Sequence, residues 1–91
     1  MPAVAHIGDF ISHEPPIPQG AVIGGSPDVF AQGRAVARVG DYAMCEEHGL
    51  VQIASGSATV YANGQRVAHN GSTCTCGAVV IAYGTVYVDE G

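Results

Sequence analysis

The chain has 91 residues, a length that supports one domain with a modest core. It is 47% hydrophobic and only 12% charged, against roughly 25% charged in an ordinary domain, so a surface this poor in charge points to cover by a partner. A net charge of −5, with three arginines and no lysine, excludes the clustered basic surface that nucleic acid or a basic membrane-surface helix requires, and no apolar run reaches the roughly 20 residues of a membrane span.

The opening residues, MPAVAHIGD, lack the basic start and apolar core of a signal peptide, so the chain is expected to be made in the cytoplasm and not to leave by the general secretory route. Three cysteines without a secretion signal argue against a disulfide framework and for reduced thiols available to a metal, with four histidines to join them.

The first element is VAHIGDFISH, residues 4–13, and it recurs twice: VARVGDYAMC at 36–45 and VAHNGSTCTC at 67–76. Each copy runs Val-Ala, then Arg or His, then one residue and a Gly, which Asp9, Asp41 or Ser72 follows. Four positions later stand His13, Cys45 and Cys76. The second half repeats as well. VIGGSPDVFAQG (22–33) aligns with IASGSATVYANG (53–64), and IAYGTVYVDEG (81–91) is a copy with about two residues lost at the turn. The chain is thus one domain of nearly three units, about 4–35, 36–66 and 67–91.

Each unit reads as β, with short Val-, Tyr-, Phe- and Thr-rich strands between GGSPD, SGS, QG and NG turns. Asn63-Gly64 is the strongest hairpin signal, because a type I′ turn needs positive φ at both central residues, and Gln32-Gly33 holds the same place one unit earlier. No window forms a convincing amphipathic helix. The predicted fold is all-β: a small cone of short hairpins with pseudo-threefold internal symmetry, whose equivalent residues converge near the axis. Between the first two units, EPPIPQG (14–20) carries three prolines and predicts a stiff surface loop.

The pattern GD…H, then GS..VF..G..VARVGD…C..H, then GS..V..NG..VA..G….CG, resembles the PAAR-repeat proteins over nearly the whole chain. Their name refers to a Pro-Ala-Ala-Arg run before the Gly-Asp, which stands here as Ala35-Val36-Ala37-Arg38 and Arg66-Val67-Ala68-His69. The resemblance implies a β cone that caps the spike of a bacterial type VI secretion system or, in related proteins, of a contractile phage tail. Its base would bind the blunt end of a trimeric β-helical spike of the valine-glycine-repeat type, one chain per trimer. A structural zinc would lie near the tip. The chain would be a monomer alone, leave the cell on the spike, touch the target membrane transiently and catalyse nothing. The chain ends at Gly91 with no effector extension, so a bare tip is expected.

Threefold packing would bring His13, Cys45 and Cys76 together, and zinc wants four tetrahedral His or Cys ligands. His48 supplies the fourth, since Cys45-Glu46-Glu47-His48 is a C-x-x-H spacing that reaches one ion from a tight turn. The expected site is His13, Cys45, His48 and Cys76: closed, and therefore structural rather than catalytic. Cys74 aligns with Ile11 and Ala43, and His69 with Arg38 and His6, so both are expected to be bystanders; replacement of one ligand by His69 or Cys74 stays open, as many similar proteins use three His and one Cys. Asp9 and Asp41 read as turn-stabilising carboxylates, and Glu46 and Glu47 as solubilising residues of the tip loop. Val29, Phe30, Val60, Tyr61, Val86 and Tyr87 should divide between the core and the base. The competing reading is a free-standing zinc-binding β module, which predicts an open or exchangeable metal position.

Overall fold

The structure is a computed structural model that describes residues 2–15, 17–84 and 86–89. Pro16 of the proline-rich loop, Thr85 of the third unit and residues 1, 90 and 91 lie outside that description. Among the described residues every regular element is β, as the turn-rich repeat predicts. The strands are β1 (Phe10–Ser12), β2 (Gly20–Val22), β3 (Phe30–Ala31), β4 (Arg34–Ala35), β5 (Tyr42–Cys45), β6 (Gly49–Gln52), β7 (Tyr61–Ala62), β8 (Gln65–Arg66) and β9 (Val79–Ile81). No helix is long and apolar enough to cross a membrane.

The main sheet is antiparallel, in the order β6-β5-β2-β1-β9. Its two edges are joined by residues 73–75. Ile53 bridges Cys74, Thr73 bridges Val79, and backbone bonds run from Ala54 N to Thr73 O (2.7 Å) and from Thr75 N to Gln52 O (2.9 Å). Three hairpins therefore close on themselves, which leaves this part of the sheet without a free edge.

The pseudo-threefold axis is written in hydrogen bonds. Ala37 N donates to Ala5 O (2.9 Å), Ala68 N to Ala37 O (2.9 Å) and Ala5 N to Ala68 O (3.0 Å), so three equivalent residues form a closed backbone ring. All three alanines are fully buried. Only a small side chain fits where three segments of the chain converge this closely. Outside the ring each unit turns at a glycine in the left-handed region, Gly8, Gly40 or Gly71, with φ of 94°, 94° and 91°. The residue after that glycine caps the turn: Asp9 Oδ2 accepts from His6 N (2.7 Å), Asp41 Oδ2 from Arg38 N (2.8 Å), and Ser72 Oγ from His69 N (2.9 Å). This is the turn-stabilising role expected of the two aspartates, and it explains how Ser can replace Asp in the third unit.

Beyond the ring, β3–β4 and β7–β8 form the two predicted hairpins. Gln32-Gly33 has φ of 54° and 79°, and Asn63-Gly64 has 55° and 80°, as type I′ turns require. Among the described residues of the third unit there is no return strand, and residues 2–4 stand in that position. Val4 N donates to Val86 O (2.8 Å), just as Val36 N does to Val29 O (3.0 Å) and Val67 N to Val60 O (2.9 Å), and Ala3 bridges Tyr87. Residues 2–4 thus pair with residues 86–88 as β4 pairs with β3 and β8 with β7, and the body closes.

Two details differ from expectation. The equivalent of Val22 and Ile53 is Val80, not Ile81: Val22 N, Ile53 N and Val80 N bond to Asp9 O, Asp41 O and Ser72 O respectively. A one-residue slip of this kind is invisible to an alignment anchored on Gly84. The six residues expected to divide between core and base all stand on the base: Val29, Phe30, Val60, Tyr61, Val86 and Tyr87 are 38–59% exposed and line one concavity. The core is built instead from inward residues of the main sheet, led by Ile11, Val22, Ile53 and Val80, with a smaller cluster of Val4, Val36, Ala62, Val67 and Val88 beneath the ring.

Candidate metal centre

The tip is where the three closed hairpins turn. His13 follows β1, Cys45 ends β5, His48 lies in the short turn before β6, and Cys76 sits in the turn between Cys74 and Ala78. Strand alternation aims them. In β5 Tyr42 and Met44 face out while Ala43 and Cys45 face in. By the same period, Ile11, Ala43 and Cys74 form one buried layer. His13, Cys45 and Cys76, two residues further along, form the next layer outward. The histidine–cysteine group is the cap of the core.

The ligand atoms of His13, Cys45, His48 and Cys76 all lie within 4.8 Å of one another. Cys45 Sγ is 3.5 Å from His13 Nε2 and 3.4 Å from His48 Nδ1; Cys76 Sγ is 3.8 Å from His13 Nε2. The two imidazole rings sit with centroids 5.1 Å apart, tilted by 54°, which leaves both free to aim a nitrogen at one point. A tetrahedral zinc with bonds of about 2.3 Å to sulfur and 2.0–2.1 Å to nitrogen would hold S and N about 3.6 Å apart. The three measured separations bracket that value, so this His2Cys2 group could hold a metal ion. Four protein donors leave no open position for water or substrate.

The thiols divide by electrostatics. The hydrogen bond from His48 is the main cause that lowers the Cys45 pKa to about 6, against an opposing push from burial. Backbone N–H groups of Glu47 and His48 and the ring of His13 act in the same direction as His48. Burial, with the neighbouring Cys76 and Cys45 charges, raises Cys74 to about 11. Cys45 is therefore poised as the thiolate a metal needs, and Cys74 stays a protonated core thiol. Because the Cys45 pKa is depressed from 9.0, its contribution to apo stability is complete above pH 9 and lost as pH falls towards 6. Ultraviolet titration of the metal-free protein should show the Cys45 thiolate forming near pH 6, a step that Cys45→Ser removes; the same step in Cys45→Ser would contradict the assignment.

The structure does not bring the two open alternatives into the group. Cys74 lies in the core layer beneath, and His69 is buried beside the alanine ring, bridging Val4, with Nδ1 2.8 Å from Asn70 O. His6 is also remote, its Nδ1 3.1 Å from Asp9 Oδ2, with Arg34 Nη2 3.1 Å from Asp9 Oδ1. Cys76→Ser is expected to lose bound metal while Cys74→Ser retains it, read as metal per chain by mass spectrometry. The buried hydroxyl of Cys74→Ser costs about 1–2 kcal/mol, so stability alone would not separate the two.

One contributor was not singled out by the spacing argument. Gln19, on the far side of the proline loop, turns its side chain back so that Oε1 accepts from His13 N, from Glu14 N (3.2 Å) and from Ser12 Oγ (3.4 Å). Its carbonyl accepts from Glu46 N (2.8 Å), so Gln19 ties the first tip loop to the second. A single glutamine in a loop carries no periodic signal; only its position after three prolines marks it.

Asp9 and Asp41 are engaged by turn N–H groups and by Arg34 and Arg38, and Glu47 lies 3.9 Å from His13 on the exposed side. Comparison with curated proteins found no match. A family profile, the PAAR motif, matches residues 8–82, a span that contains all four members of the metal group. The chain therefore belongs to the PAAR-motif family.

Proposed function

We propose that this protein is a zinc-stabilised tip that caps a trimeric β-helical spike of the valine-glycine-repeat type, in a type VI secretion system or a related contractile device. The carrying observation is the base. On the side of the alanine ring away from the metal group, Phe30, Tyr61 and Tyr87 stand at three equivalent positions, 55–59% exposed, around an apolar concavity. Solvent-exposed aromatics in a threefold pattern fit burial against a partner that is itself threefold. One chain on the axis can then cover three.

The division of labour is mechanical. The closed His2Cys2 group supports zinc as a staple for a tip too narrow to build a core, and the base supplies adhesion. Sheath contraction would drive the capped spike through a target envelope, and the cap would leave the cell with it. Light scattering of the protein mixed with the purified spike tests this: one chain per trimer is expected, and three chains per trimer, or no complex, would overturn it.

A further inference from the structure

We propose that the concavity at the base is a socket for three identical apolar side chains, one from each chain of the homotrimeric partner, inserted along the shared axis. This rests on the cap reading above and specifies how the two bodies join. The socket is an open concavity of about 270 Å³. Its floor is Val4, Val36 and Val67, and its rim is Phe30, Tyr61 and Tyr87. The floor residues are one position from each unit, as their matched bonds to Val86, Val29 and Val60 show. The pseudo-threefold axis therefore runs down the centre of the socket.

The occupant follows from symmetry and polarity. A single helix or lipid tail would present three different faces to three equivalent walls, and two walls would be poorly matched. Three copies of one side chain meet all three walls alike. A second copy of this chain would set socket against socket and leave a doubled void, which close packing disfavours. Among the described residues that line the socket none is charged, and the tyrosine hydroxyls are the polar side-chain groups. A polar side chain inserted to the valine floor would lose its water without replacement, so the inserted groups are aliphatic or aromatic.

Filling the socket from this side tests the idea. Val60 lies on the wall and is 38% exposed, so Val60→Phe adds bulk without disturbing the buried floor; Val29→Phe repeats the change on an equivalent wall should the first variant not fold. Each is titrated calorimetrically with the purified trimeric valine-glycine-repeat spike, alongside Phe30→Ala at the rim. The wall variants should keep the wild-type melting temperature yet bind at least about tenfold more weakly, as expected when a central anchor loses its pocket. Wild-type affinity in the wall variants, with weakened binding in Phe30→Ala, would mean that the spike rests flat on the rim, overturning the socket while leaving the cap intact. No binding by the wild type would overturn the cap reading and the socket with it. A dimer of the isolated chain by sedimentation, abolished by Val60→Phe, would assign the face to a second copy.

Discussion

Removing the metal from this protein should lower its melting temperature by about 15 °C or more and expose the tip hairpins to proteolysis. Structural zinc contributes about 10 kcal/mol or more to the folding of small zinc-dependent domains. This chain also has a sheet closed on itself and a buried core cluster, so it should not depend on metal wholly. Even a third of that energy, in a domain of this size, moves the transition by about 4–8 °C per kcal/mol. The loss should be local, because among the described residues the tip turns meet chiefly through the His2Cys2 group and Gln19, while the alanine ring and base hairpins hold themselves together by backbone bonds. Hydrogen exchange before and after chelation should therefore show deprotection around residues 13–19, 46–48 and 75–77, with the amides of Ala5, Ala37 and Ala68 staying slow. An unchanged melt in protein shown to be metal-free would defeat the assignment of zinc as a staple.

The second large effect is expected from one missing methyl group. Gly20 begins β2 and pairs with Cys45. A Cβ there would overlap the carbonyl oxygen of Met44 and approach Ile11 Cγ1 at 2.9 Å and the Cα of Cys45 at 3.0 Å. Two of these neighbours are backbone, which cannot swing aside as the end of a flexible side chain can. Gly20→Ala must push β2 away from β5, the strand that carries Cys45 into the His2Cys2 group. Overpacking of this kind costs about 1–3 kcal/mol, and more where backbone must move. Gly20→Ala should thus lose both stability and metal, whereas Gly33→Ala, with nothing near its Cβ and only an unfavourable φ of 79° to bear, should lose about 1 kcal/mol and keep its metal. Equal metal content in the two variants would show that the β2–β5 contact does not position Cys45.

Much of this protein could be read before its structure, for a physical reason particular to repeats. Three similar segments that each need the same turn and the same strand pairing must settle into equivalent positions around one axis. Equivalence in the sequence then becomes proximity at that axis. Aligning His13, Cys45 and Cys76 was enough to predict their meeting, and the C-x-x-H spacing was enough to add His48. The type I′ turns at Gln32-Gly33 and Asn63-Gly64 were legible for a local reason, since their backbone is decided by the two residues themselves. The hydrophobic character of Val29, Phe30, Val60, Tyr61, Val86 and Tyr87 was legible too, but their location was not. An apolar strand residue reads alike whether it is packed inside or awaits a partner.

Several features rest on contacts between segments distant in the chain and could be decided only by the folded body. Residues 2–4 complete the third unit because the closing body leaves Val86 and Tyr87 without a strand, a vacancy that no local pattern announces. The register of β9, with Val80 rather than Ile81 equivalent to Val22, follows from pairing with β1 on one side and Thr73 on the other. The role of Gln19 depends on a loop folding back onto the residue beside a ligand. The sequence by itself determined the repeat, the turns and which four side chains could meet, because those depend on short-range backbone chemistry and on symmetry. The tertiary structure alone decided how the ring closes, which apolar residues stay outside and what shape they leave at the base, because these are set by packing among all three units at once.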